Sequence, residues 1–256
     1  MHGGPGLDHH MFGDYLDALT DAHRLILVDQ RAQGRSDPAP PDTWTLGRMA
    51  ADVSSLAEAL GLGRYAVLGH SYGAFVALVH AVDRPGDAAA TIVSAGLPSV
   101  AYMDVEGGLA RLPAELRAKV EASWANERDV RTPDDVATLW HDQLPYHFAD
   151  PMDPRIPEYV ERTSGAVYAP DVIRHFAANE YGGIDVEDVL DRVTQPVLAL
   201  TGRQDHTCPP PGAEAIAKGV SEGELLVLED SAHLGFVEET EAYLAAVREF
   251  LAPLAS

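Results

Sequence analysis

Cysteine is almost missing from this chain. The 256 residues carry one, Cys208, so no internal disulfide can staple the fold. Lysine is nearly as scarce: only Lys119 and Lys218 occur, and the other cations are arginines. That scarcity fits either the codon bias of a GC-rich genome or adaptation to salt. Positive charge as a whole is short, with 18 Lys and Arg against 40 Asp and Glu, a net charge of −22 and a pI of about 4.6. A field of that sign repels phosphate backbones, so nucleic acid is not an expected partner. Long apolar runs are also lacking, and no membrane partner is expected. The opening Met1-His2-Gly3-Gly4-Pro5-Gly6 has neither the basic nor the apolar region of a secretion signal, and a cytoplasmic location is expected. What is present is a hydrophobic fraction of 46%, enough for a sizeable core, in a length that suits one α/β domain with or without an insertion.

Five short apolar runs bounded by turn residues read as buried parallel strands: Arg24 to Asp29, Arg64 to Gly69, Ala89 to Ala95, Pro196 to Thr201 and Glu224 to Leu228. Helical stretches lie between them: Leu46 to Leu60 behind a Thr45 cap, Ala74 to Val82, and Glu241 to Leu251. Strands alternating with helices predict a doubly wound, mostly parallel sheet. Residues 98–190 break the alternation. They hold no convincing strand and several helix starts, among them Thr132-Pro133-Asp134-Asp135 and Ala169-Pro170-Asp171. The expected division is a core of residues 1–97 and 191–256 with a helical cap of residues 98–190 inserted between.

Gly69-His70-Ser71-Tyr72-Gly73 fits G-x-S-x-G and sits between a predicted strand and a predicted helix, the setting of a nucleophile elbow. A serine hydroxyl is a weak nucleophile and needs a base. His233 follows the last predicted strand and is the candidate. Asp205, at the end of the strand Pro196 to Thr201, is the candidate acid that orients it, and the order Ser71, Asp205, His233 is the one this architecture uses. Each alone is weak, since the chain has 11 histidines and 40 acids. Acyl transfer also needs preorganised N–H donors for an oxyanion. Tyr72, next after the nucleophile, and Gly4, in the glycine-rich start, are the expected pair. His9-His10 has no evident partner ligands, and no metal or cofactor is expected.

Together HGGPG at 2–6, DQRAQGRSD at 29–37, GHSYGA at 69–74, TGRQD at 201–205 and the SAH at 231–233 resemble the prolyl iminopeptidase branch of the α/β-hydrolases. The resemblance spans nearly the whole chain, strongly in the core and weakly in residues 98–190. It implies the α/β-hydrolase fold and a structural role for the Asp29-Gln30-Arg31 loop in supporting the Gly-rich loop. Gly3 is then expected to face the substrate. Asn179-Glu180-Tyr181 matches a triplet whose acid, in members that cleave N-terminal residues, grips the substrate ammonium, so Glu180 is a candidate substrate contact. In the same members a second acid follows the triad aspartate, where this chain has His206. Cys208 reads as a passive loop thiol.

The resemblance also implies two or three strands ahead of HGGPG, one of them lying between residues 24–29 and 64–69. The preferred expectation is that residues upstream of Met1 are missing. A chain that truly starts there is expected to have low stability and little activity. The function expected is a serine hydrolase that cleaves a small amide or ester through an acyl-enzyme. A proline iminopeptidase-like aminopeptidase acting on a small-molecule or short-peptide substrate is the leading reading, and a carboxylesterase the alternative. A low-turnover ligand-binding receptor and an inactive truncated fragment are the rivals from other classes. The oligomeric state is left open.

Overall fold

The computed structural model describes residues 1–254; the Glu180 side chain also lies outside the described part. Four strands form one parallel sheet in the order β1 (Ala66–His70), β2 (Ala90–Ser94), β3 (Val197–Gly202) and β4 (Gly223–Leu228). The register runs Leu68 beside Ile92, Ile92 beside Leu198 and Leu198 beside Glu224. Both central strands are buried along their whole length. That is why they read as continuous apolar runs rather than as alternating ones.

Because successive side chains on a strand point to opposite faces, β2 and β3 feed two cores. Val93, Val197 and Ala199 pack with α1 (Leu46–Ala59), α2 (Tyr72–Asp83) and α8 (Pro210–Gly219). Ile92, Leu198 and Leu200 pack with α10 (Thr240–Leu251) and with Phe12, Leu16 and Leu19 of the early chain. Each fully buried Leu, Ile or Val contributes about 1.5–3 kcal/mol. Thr45 caps α1, accepting from the Arg48 N–H at 3.3 Å.

Between β2 and β3 run α3 (Val105–Ala110), α4 (Ala114–Asn126), α5 (Pro133–His147), α6 (Arg155–Arg162) and α7 (Pro170–Ala178). Thr132 and Asp135 close a capping box on α5, with Pro133 in the first turn. The two ends of this helical stretch meet at an isolated antiparallel bridge between Ser99 and Asp185. The Val100 N–H donates to Ile184 O and the Val186 N–H to Pro98 O. A four-residue helix, α9 (Gly235–Glu238), links β4 to α10.

Arg24 to Asp29, expected as a strand, is not one. Among the described residues, no main-chain hydrogen bond joins residues 24–28 to a neighbouring strand. A cavity of about 1070 Å³ separates this stretch from β1, walled by Leu25, Leu27, Val67, Leu68 and Ile92. The apolar pattern is that of a strand, but a strand exists only through a partner, and here the partner is a gap. Among the described residues, the free edge of β1 pairs with Met1 alone. The Met1 ammonium donates to Leu68 O at 2.7 Å, and the His70 N–H donates to Met1 O at 3.1 Å.

Candidate active site

The turn from β1 into α2 sets Ser71 at φ 56° and ψ −120°, a left-handed conformation that a non-glycine residue adopts only under constraint. The constraint is close packing on both sides. A Cβ on Gly69 would stand 2.0 Å from Gly73 O, and one on Gly73 would stand 2.4 Å from His2 O. Strand, helix and N-terminal loop therefore meet at van der Waals limits that only glycine permits. Ser71 is fixed further by its N–H donating to Ser94 O at 2.9 Å. Tyr72 is the first residue of α2, so its N–H has no partner inside the helix.

His233 and Asp205 come from loops that follow β4 and β3. The Asp205 carboxylate is 2% exposed and holds three bonds. Its Oδ2 faces His233 Nδ1 at 2.8 Å, and its Oδ1 accepts the N–H groups of Thr207 and Cys208 at 2.8 Å each. With Oδ2 accepting, His233 carries its proton on Nδ1, which leaves Nε2 free as a base. Ser71 and His233 both line a second cavity, of about 620 Å³. No hydrogen bond joins the two in this structure; catalytic hydrogen bonds commonly tighten only around substrate.

Two further histidines flank His233. The His70 ring lies 5.1 Å from it and the His147 ring 4.9 Å. Burial, and then the nearness of His233, holds both well below the usual imidazole range, so they add no standing charge beside the base. The His147 carbonyl also accepts the His233 N–H at 3.0 Å. Glu238 ties the same loop down: its carboxylate accepts the N–H groups of Ala232 and Ala149, each at 2.8 Å. Burial pushes the Glu238 carboxyl up to about 6.

Gly4 reaches the cavity beside Ser71 and Tyr72, and its N–H makes no hydrogen bond among the described residues. Its loop is gripped from below by the Asp29-Gln30-Arg31 turn and the residues after it. The Gln30 N–H donates to His2 Nε2 at 3.1 Å, Gln30 Nε2 donates to His2 O at 2.7 Å, and Gln33 Oε1 accepts the Gly6 N–H at 2.6 Å. Burial lowers His2 to about 4, so it stays a neutral acceptor. Gly3, expected at the substrate, is buried behind Ser71, with its N–H on Met11 Sδ at 2.7 Å. The N–H is thereby committed, and the residue is not among those lining the cavity. Glu180 starts a short helical turn after α7, and its side chain lies outside the described part.

Motif reading passed over His147, Glu238 and Glu127, a buried cap acid in the cavity wall. None stands in a short motif; a buried acid is not distinguishable by sequence among 40. His206, at the position where the resemblance implies a second acid, pairs with Asp104 at 2.9 Å and so ties the loop after β3 to α3. Two clusters have metal-ligand residue types within reach: Asp8, His9 and His10, and Asp205, Cys208 and His233. The rings of His9 and His10 stand side by side at 4.3 Å rather than apart. The Asp8 carboxylate binds His10 and the Val167 N–H, and His9 binds Asp29, so these ligand atoms are already engaged. In the second cluster, burial pushes the Cys208 thiol up and opposes the thiolate a metal would need.

Over residues 1–240 the chain matches the family described as alpha/beta hydrolase fold. It is 27% identical to the proline iminopeptidase of Heyndrickxia coagulans, across 98% of this chain and 88% of that one. It is 29% identical to the proline iminopeptidase of Saccharolobus solfataricus, across 98% and 83%. In structure it resembles an alpha/beta fold family hydrolase from Bacillus anthracis, with a TM-score of 0.81 at 22% identity, across 98% of this chain and 90% of that one.

Proposed function

The chain belongs to the α/β-hydrolase family and is a hydrolase, and we propose that it works through a serine nucleophile, Ser71. The observation that carries this reading is a single juxtaposition. Ser71, strained at the head of α2, faces the same cavity as His233, whose other nitrogen is held by the buried Asp205. Ser71 Oγ attacks the substrate carbonyl and passes its proton to His233 Nε2. Asp205 stabilises the imidazolium and fixes its orientation. The N–H groups of Gly4 and Tyr72 receive the oxyanion, in a site where fixed donors reorganise little as charge develops. His233 then protonates the leaving group, and water activated by His233 releases the acyl-enzyme. No cofactor enters these steps.

The substrate is a small amide or ester whose acyl part sits under the inserted helices. Phe75, Trp124, Leu139, Trp140 and Ile173 give that space apolar walls suited to a compact ring. With the relatives named proline iminopeptidase, this favours an aminopeptidase acting on N-terminal proline over a carboxylesterase. The test is a fluorophosphonate probe on the wild type and on Ser71→Ala, followed by proline and acetate chromogenic substrates. Labelling of the wild type alone, with faster turnover of the proline substrate, is the expected result. A preference for the acetate would make it an esterase. A folded wild type that takes no label would overturn the hydrolase mechanism.

A further inference from the structure

A single carboxylate holds the His233 loop and the inserted helices together. Glu238, the last residue of α9, is 8% exposed. Its Oε2 accepts the N–H of Ala232, the residue before His233, at 2.8 Å. Its Oε1 accepts the N–H of Ala149, just past the end of α5, at 2.8 Å. The carbonyl of His147, the last residue of α5, accepts the His233 N–H at 3.0 Å. A closed ring therefore runs from Glu238 through Ala232 and His233 to His147 and Ala149, and back. The same helix walls the cavity that Ser71 lines, with Leu139, Trp140, Gln143 and His147. Arg111 braces the ring by donating to the carbonyls of Phe148 and Ala149 at 2.7 and 2.9 Å. Arg155 donates to the Glu238 carbonyl at 2.5 Å, and its charge is paired with Asp153. Among the described residues no ion pair reaches the Glu238 carboxylate. A buried carboxylate without a counter-ion lowers stability; what it supplies is two acceptors fixed on one rigid fork.

We propose that Glu238 is a positioning residue for the reaction: through this ring it makes the placement of α5 over the substrate and the aim of His233 a single adjustment. This rests on the hydrolase reading above. A shift of the cavity wall is carried to the base by main-chain bonds, and the base holds its aim only while the wall is seated. The fork works only with both oxygens free to accept. Burial pushes the carboxyl up to about 6, while the Ala149 and Ala232 N–H groups and then Arg155 act to lower it and Asp153 to raise it. Below that pH one oxygen takes a proton and faces an N–H as a donor, so the ring opens at one bond. The other titratable groups around it are Arg111, His147, His233 and Glu239. His147 is held neutral by burial, and Glu239 is committed to the Asp230 N–H and the Ser231 hydroxyl.

The test measures kcat per serine labelled by fluorophosphonate, in the wild type and in Glu238→Gln, from about pH 5 to about pH 8. The substrate is whichever of proline 4-nitroanilide and 4-nitrophenyl acetate the wild type turns over faster. Glu238→Gln keeps one acceptor and sets an NH2 against the other N–H. Above about pH 7 the wild type should exceed it roughly 10-fold to 100-fold in kcat, with KM little altered. That ratio should shrink with a midpoint near 6 and approach one at the acid end, because the protonated wild type has lost the same bond. The titration of His233 is common to both proteins and cancels. A ratio that does not change with pH, which a merely structural role would give, overturns the proposal, as does a variant with wild-type kcat. If Glu238→Gln does not fold, the acid limb of wild-type kcat decides. It should fall by more than about 10-fold per pH unit below pH 6, since two groups are protonated there, and a one-proton slope overturns the proposal. If the folded wild type takes no label, the hydrolase mechanism fails on its own, and the ring is judged by hydrogen exchange. The Ala149 and Ala232 amides should then exchange at least about 10-fold faster in Glu238→Gln, and equal rates would sink the ring.

Discussion

Two large cavities stand out among the described residues, and polar groups converge on the smaller. The larger, of about 1070 Å³, lies between residues 24–30 and β1 and is walled mainly by apolar side chains and unpaired main chain. The smaller, of about 620 Å³, gathers Ser71, His233, Glu127 and the loop carrying Gly4. Volume is what remains where packing stops. A site is recognised by polar groups that converge from separate elements and are held there by second partners. Asp205 has three such partners, the Gly4 loop has Gln30 and Gln33 beneath it, and the His233 loop has Glu238. In the larger cavity, polar lining groups are engaged with one another or with the Gly-rich loop region: Arg31 donates to Asp52, and Asp29 accepts the N–H groups of His9 and Arg35.

The sharpest way to break this contrast is at the nucleophile. Ser71→Ala should lose at least about 10⁴-fold in kcat/KM and all fluorophosphonate labelling, while its melting temperature stays near that of the wild type. A variant that kept its activity would show that the smaller cavity is no more catalytic than the larger. Asp205→Asn comes next. The His233 tautomer depends on that carboxylate, so kcat should fall by about 10³–10⁴-fold with substrate binding little altered. Steady-state kinetics that showed a rise in KM alone would demote Asp205 to a structural acid.

The larger cavity makes its own prediction. Amides of residues 24–28 should exchange with solvent deuterium far faster than those of β2 and β3, since no ladder protects them. Equal protection would mean that this stretch has a partner in solution. The smallest expected effect concerns pH. Glu127 has a folded pKa near 7, above its ordinary value of 4.5, so the native state binds more protons across that interval. Its contribution is therefore fully present below about pH 4.5 and is lost as pH rises towards 7. The wild type should lose roughly 2–6 °C of melting temperature relative to Glu127→Gln between pH 5 and pH 8. Parallel melting curves would mean that the carboxyl is better solvated than its 5% exposure implies.

Sequence alone determined what is local. A strand, Gly69-His70-Ser71-Tyr72-Gly73 and a helix form one continuous piece of chain, and the glycines the tight turn demands are visible as letters. Asp205 and His233 were legible for a related reason: each follows a strand directly, so strand order carries it to the same rim of the sheet. The β2 and β3 runs were readable because burial on both faces leaves an unbroken apolar signature. Only the tertiary structure decided the rest. Leu25 and Leu27 look like strand residues, but hydrogen bonding to a neighbour decides whether they are, and pairing is a long-range property. Gly3 lies in the expected loop yet turns away from the cavity, because its N–H finds Met11. Glu127 and His147 lie in the helical stretch between β2 and β3, whose packing brings them into the wall of the cavity that Ser71 lines, and nothing in a one-dimensional string distinguishes the buried acids among the forty until the helices dock and water is displaced.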